Sequence, residues 1–198
     1  MAIKRYIADA DNTITNAFKE NLTSRGTTGN MGESDVMEVF SIYAQANSSS
    51  VELTRLLAQF PVSYITADRA TGAVPASGNV NFFLKLSNAV HAETLPTQFN
   101  LTIQPVSRSW IEGTGLDMEE YKDIGASNWL SASTSVLWTT EGGDYLTSSN
   151  YNAYFDNGTE DLEVDITGLV EEWAAGTIPN YGVGVHLSSS EETATRSY

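Results

Sequence analysis

Asp9-Ala10-Asp11-Asn12-Thr13, followed by Glu20, carries oxygen donors at a spacing that raises the question of calcium. Counted from Asp9, Asp11 falls at loop position three and Glu20 at position twelve. Position six is then Ile14, where an EF-hand loop needs glycine for its sharp turn. The EF-hand reading therefore fails, and Asp9 and Asp11 stand only as candidate ligands of some other calcium site. Calcium is the one cofactor that this acid-rich chain leaves open; no other is expected. The four tryptophans offer a second chemistry, since an indole face can stack on a sugar ring. Trp173 falls on the apolar side of a predicted helix and reads as core. Trp129 and Trp138 lie in loop-rich sequence and are the candidates for ligand stacking. An acid–base pair for glycoside cleavage needs two carboxylates across a bond, but no spacing singles out two of the 25 acids. His91 and His186 sit in apolar strand patterns without a second ligand nearby and read as core or edge residues. There is no Gly-x-Ser-x-Gly elbow, phosphate loop or His-Glu-x-x-His. The expectation is a protein that is not an enzyme.

Short strands must position these residues. Ile3 to Ala8 reads as a first strand. Asn12 to Asp35 is polar, bears Gly26, Gly29 and Gly32, and reads as a long loop. Val36 to Ala44 alternates, with Val39, Ser41 and Tyr43 on one side and Phe40 and Ile42 on the other. Val51 to Phe60 fits both strand and helix spacing and is assigned to a strand because its neighbours are strands. Pro61 to Gly78 holds room for one helical turn near Ile65 to Arg69. Val80 to Val90 places Phe82, Leu84 and Leu86 on one face. Phe99 to Val106 alternates, and Pro105 is expected to end its pairing. Asp117 to Asp123 reads as an acidic helical turn. Ser135 to Thr139 and Asp161 to Ile166 read as strands, with a Gly142-Gly143-Asp144 turn between them. Thr167 is expected to cap a helix over Gly168 to Ala175 that stops at Gly176. Tyr181 to Leu187 is the last clear strand. The pattern predicts an all-β fold, a jelly-roll β-sandwich with one short capped helix near the C-terminus.

Composition narrows the function. The net charge of −15 repels phosphate backbones and anionic lipid, so no nucleic-acid role is expected. No stretch approaches the ~20 apolar residues of a membrane span, so no membrane insertion is expected. The absence of cysteine leaves stability to core packing. The basic, polar start does not read as a signal peptide, which suits folding in a cytoplasm. The 198 residues fit a single module, either whole or the first part of a longer chain.

Four pieces in order carry a resemblance. They are Val106-Ser107-Arg108-Ser109-Trp110-Ile111-Glu112-Gly113, then Gly125-Ala126-Ser127-Asn128-Trp129, then Trp138-Thr139-Thr140-Glu141-Gly142-Gly143-Asp144-Tyr145, then Val164 to Trp173 with Gly176 and Asn180-Tyr181-Gly182-Val183. This order resembles the DNRLRE-type domains, which are grouped with carbohydrate-binding modules. Arg55-Leu56-Leu57-Ala58-Gln59-Phe60 is similar to that family's R-a-L-l-x-F strand. The likeness spans almost the whole chain. It implies a jelly roll without catalysis, of a kind found in secreted multidomain proteins, some of which bind acidic polysaccharide. The start through Ala44 and the Ile103 to Tyr121 stretch look most like versions in marine phage structural proteins. One departure concerns the end. The family closes with a further strand after Tyr181 to Leu187, and here an acidic polar stretch to Tyr198 takes its place.

The expected function is a non-catalytic virion structural protein of a tail fibre, baseplate or capsid surface, assembled in a bacterial host cytoplasm. Its expected partners are other virion proteins or copies of itself in a symmetric arrangement, with a host-surface glycan as a further contact. The rival is a carbohydrate-binding module for a polysaccharide. The assembly reading also predicts that the Ala10 to Asp35 loop is poorly ordered or held by a partner.

Overall fold

The computed structural model describes residues 3–90, 94–119, 122–123 and 125–198. It is mostly β-strand in antiparallel sheets, with few helices. The strands are β1 (Ala10–Thr15), β2 (Ser41–Tyr43), β3 (Val51–Gln59), β4 (Phe83–Leu86), β5 (Phe99–Pro105), β6 (Ser131–Ser133), β7 (Val136–Leu137), β8 (Tyr151–Phe155), β9 (Leu162–Asp165) and β10 (Val183–Leu187). The helices are α1 (Val62–Ala70), α2 (Thr167–Ala175) and α3 (Ser189–Glu192).

The main sheet runs β1-β3-β10-β5-β8, with β2 also on β3. β3 is the organising strand. It pairs with β1 from Ala10↔Gln59 to Thr15↔Thr54, with β10 over Ala58 to Leu56, and with β2 over Leu53 to Val51. Its alternation explains why it resolves as a strand. Leu56 and Ala58 enter one core, while Leu53 and Leu57 enter another on the opposite face. β10 is buried along its whole length, as a strand covered on both faces must be. Val183, Val185 and Leu187 meet the larger core, which also takes Leu84, Leu162, Leu169 and Trp173 from β4, β9 and α2. β4 and β9 form a separate ladder from Phe83↔Asp165 to Leu86↔Leu162. The smaller core holds Ile14, Leu57, Val106, Ala132 and three tryptophans.

Several expectations need correction. The first strand is Ala10–Thr15, not Ile3 to Ala8, whose backbone joins no ladder. Residues 12–35 are no loose loop either. Asn12, Thr13, Ile14, Thr15, Asn30 and Met31 are all buried, and this packing on the chain's own body counts against the docking-arm expectation. The buried polar groups replace an apolar signal. Asn12 Oδ1 accepts the Met31 N–H at 2.9 Å, and Asn12 Nδ2 donates to Ser127 Oγ and O at 2.8 and 3.0 Å. Asn30 Nδ2 donates to the carbonyls of Glu112 and Ser127, at 2.6 and 2.8 Å, and its Oδ1 accepts from Gly115 and Gly32. The backbones meet so closely that a Cβ on Gly115 would stand 1.9 Å from the Asn30 carbonyl oxygen.

Val36 to Ala44 shrinks to Ser41–Tyr43 because hydroxyls take its donors. Thr13 Oγ1 accepts from the Glu38 N–H, and Thr54 Oγ1 from the Phe40 N–H. The helical turn at Ile65 to Arg69 is a nine-residue helix. No helix forms over the described part of Asp117 to Asp123. Thr167 opens α2 but does not cap it. Asp165 Oδ1 accepts the Thr167 N–H at 2.9 Å, and the Thr167 hydroxyl accepts from Phe82. Gly176 ends the helix at φ 70° as expected. β6 and β8 went unseen in the sequence. β6 is three small residues, and β8 is a Tyr- and Asn-bearing edge strand.

Candidate functional site

The two tryptophans proposed for stacking lie inside. Trp129 is 4% exposed and Trp138 6% exposed, which corrects the expectation that their loop-rich sequence leaves them at the surface. The 139–145 turn and the β6–β7 hairpin fold across them. Trp138 Nε1 donates to the Asn128 carbonyl at 2.8 Å, and Leu130 O accepts the Trp138 backbone N–H at 3.0 Å. Gly142, at φ 85°, lies so near the Trp129 ring that a Cβ there would stand 2.8 Å from it. Trp110 completes the group, with Nε1 donating to the Tyr181 carbonyl at 2.8 Å. Indole faces used in this way fill a core and offer nothing to a sugar.

The proposed calcium ligands are separated from Glu20 by the extended strand β1, ~20 Å long at its usual rise. Asp9 is exposed and its N–H bonds the Gln59 carbonyl. Asp11 is half-buried, and a Glu112 carboxylate oxygen accepts its N–H at 2.8 Å. Burial and then the Glu112 charge push the Asp11 carboxyl above its ordinary range. Among the described residues no three acid or histidine side chains converge as a metal site. Calcium takes six to eight oxygens, and no third described acid side chain joins Asp9 and Asp11 toward such a shell. His91 lies outside the described residues.

A polar cleft of about 450 Å³ opens above the tryptophan core. Its floor is Arg55, on the face of β3 opposite the larger core. The guanidinium lies 5.3 Å from the Trp129 ring centroid and 5.8 Å from that of Tyr145. It holds Glu192 of α3 through a two-point pair, Nε–Oε1 at 2.9 Å and Nη2–Oε2 at 2.7 Å, and donates to the Gly142 carbonyl. Both partners are largely buried, so removing one would strand a charge at a cost of about 3–5 kcal/mol. Tyr145 lies flat on β10. A Cβ on Gly184 would fall 2.1 Å from its ring, so only glycine fits beneath it. Burial raises the Tyr145 hydroxyl to about 12, so it stays protonated at neutral pH and donates to the Gly142 carbonyl at 2.7 Å.

Arg108 builds the wall. It donates to Leu137 O at 2.9 Å and to Thr139 Oγ1 at 3.1 Å, and pairs with Asp144 at 2.9 Å. Asp144 also accepts the N–H groups of Thr139 and Thr140. Burial opposes its charge, but those two N–H bonds and Arg108 together hold its carboxyl below the usual range. Behind the cleft, His186 contacts Gln104 Oε1 at 3.1 Å and the Leu187 carbonyl at 2.7 Å. Burial, then the Arg55 charge, lowers its pKa from 6.5, so it is neutral at pH 7.

Every charge in the cleft is thus already answered. What faces solvent is a set of hydrogen-bonding groups, chiefly Ser107, Thr139, Thr140 and Thr147. This arrangement can bind a polar, hydroxyl-bearing ligand. It holds no paired nucleophile and base. Arg55 gave one sequence signal, a cation among Leu53, Leu56 and Leu57 in a predicted strand, which must find a partner if the strand is buried. Nothing in the sequence marked Glu192, 137 residues away. No protein-family model matches the chain, and no curated protein or solved structure matches it either.

Proposed function

We propose that this chain is a non-catalytic structural module of a virion, in a tail fibre, baseplate or capsid surface, that works by contact with neighbouring copies or other virion proteins. The observation that carries the reading is the division of labour on its surface. The charged groups of the cleft are paired with one another, while large apolar side chains stand in water on separate elements: Ile3 and Ile7 before β1, Leu137 on the β6–β7 hairpin, and Val90 after β4. Exposed apolar positions of that kind suit interfaces. The order of motifs from Val106 to Val183 supports a DNRLRE-like jelly roll, the start through Ala44 and the Ile103 to Tyr121 stretch support a version similar to phage structural proteins, and an antiparallel main sheet facing the β4–β9 ladder across one core is compatible with that topology.

Light scattering on the purified chain, without and with calcium, tests the reading. A defined oligomer or growth into particles is the expected result; a monomer in both conditions sinks it. A second reading, a polysaccharide-binding module, is favoured by the hydroxyl-lined cleft. Glycan-array binding that Arg108→Ala abolishes would support that role, placed in the cleft and not on Trp129 or Trp138.

A further inference from the structure

Residues 3–8 have the alternation of a strand and no strand to pair with. Tyr6 and Ala8 are half-buried, while Ile3, Arg5 and Ile7 are exposed, the isoleucines at 84% and 83%. The inner side is anchored: the Tyr6 hydroxyl donates to Asp68 at 2.6 Å, and Lys4 pairs with the same carboxylate. Among the described residues, no backbone hydrogen bond engages residues 3–8. An extended segment with an apolar, basic outer side is therefore held ready on the surface.

The same molecule has an unpaired edge of matching length. β8 is the last strand of the main sheet. On β5, the backbone of Asn100 faces away from β8: its N–H bonds Glu191 at 3.2 Å and its C=O accepts from Ser188 at 3.0 Å. The ladder to β8 therefore runs through Phe99, Leu101 and Ile103, and so through Phe155, Ala153 and Tyr151. The backbone groups of Asn152 and Tyr154 are left facing outward. Both residues are exposed, and no other described residue bonds their backbone. An open edge of this kind is a template for another strand. Its downstream end is acidic, with Asp156, Glu160 and Asp161 and no basic residue among residues 156–161. Hydrogen bonds from the backbone N–H groups, that of Asn157 first, keep Glu160 below the usual carboxylate range and so charged.

We propose that residues 3–8 of one copy add as a strand to the β8 edge of a second copy, with Arg5 set against the acidic end of that edge. The chain supplies both halves of the contact, which is why the occupant is a second copy. Because arm and edge are different surfaces, the contact is head-to-tail and produces a ring or a filament. The inference deepens the assembly reading and rests on it.

Mixing two defective variants tests it. Ile3→Asp with Ile7→Asp spoils the arm and leaves the edge; Tyr154→Pro removes an outward N–H and leaves the arm. By light scattering, the wild type should form species larger than a dimer. Each variant alone should be monomeric, and a one-to-one mixture should stop at the dimer. Circular dichroism and thermal unfolding of each variant verify that it is folded; should Tyr154→Pro fail to fold, Asn152→Lys with Tyr154→Lys serves as the edge variant. A wild-type oligomer that neither variant disrupts overturns the arm-to-edge contact and leaves contact-driven assembly standing. A wild type that stays monomeric at millimolar concentration overturns both.

Discussion

Residues 3–8 and residues 12–35 adjoin in the chain and behave in opposite ways to their composition. The first segment alternates apolar and polar residues like a strand, yet it lies on the surface with both isoleucines in water. The second is rich in Asn, Thr and Gly and reads as loose, yet it supplies an edge strand and two fully buried asparagines. The difference lies in what each finds to bond. The longer segment meets backbone carbonyls and an N–H group of residues 112–127 through short amide side chains, at distances of 2.6 to 3.0 Å. Among the described residues, the shorter one packs Tyr6 at the margin of the larger core and finds a polar partner in a single carboxylate, Asp68. Burial followed the hydrogen-bond partners, not the hydropathy.

The contrast can be broken most strongly at Asn30. Asn30→Ala leaves the Glu112 carbonyl and the N–H groups of Gly115 and Gly32 without their side-chain partner and leaves the Ser127 carbonyl with Asn12 as its one remaining amide donor, so a loss of about 3 kcal/mol is expected in urea unfolding. A loss below about 1 kcal/mol would mean that water substitutes for the amide and that the segment is not held as argued.

Tyr6→Phe probes the arm's anchor and should lower stability by about 1 kcal/mol or less, with greater backbone mobility of residues 4–7 in NMR relaxation. The anchor should also depend on pH. Hydrogen bonds from Lys4, then Tyr6, hold the Asp68 carboxyl below its ordinary 3.8. The contact is therefore complete above that value and is lost as pH falls through the lowered one. Burial and the Asp68 bond raise the Tyr6 hydroxyl from 10.0 to about 12, so that donor is fully kept below 10 and lost as pH rises through about 12. NMR relaxation of residues 4–7 that shows no release below pH 3.8 would dismiss Asp68 as the anchor. The smallest effect belongs to Ile7→Ser, which should move the unfolding midpoint of the dilute chain by no more than about 0.5 kcal/mol. A larger loss would mean that the arm packs on its own body.

Much of the ladder was legible beforehand. Val51–Gln59, Phe83–Leu86, Phe99–Pro105, Leu162–Asp165 and Val183–Leu187 all fall within predicted strands, and α2 begins and ends within a residue of its expected bounds. These elements share a local cause, side chains that alternate or repeat at helical spacing and a glycine that accepts φ 70°. The candidate site was less legible. Trp129 and Trp138 stand out as residue types, but nothing in their loop-rich sequence says that the 139–145 turn closes over them.

The sequence by itself determined a mostly β chain with a strongly acidic composition, since period, turn chemistry and charge are properties of neighbouring residues. Only the tertiary structure decided which faces those strands cover, that Arg55 meets Glu192 across 137 positions, and that Asn12 and Asn30 are interior while Ile3 and Ile7 are not. Those outcomes depend on which polar groups converge from distant parts of the chain, and a hydrogen bond made in the interior has no signature in the residues beside it.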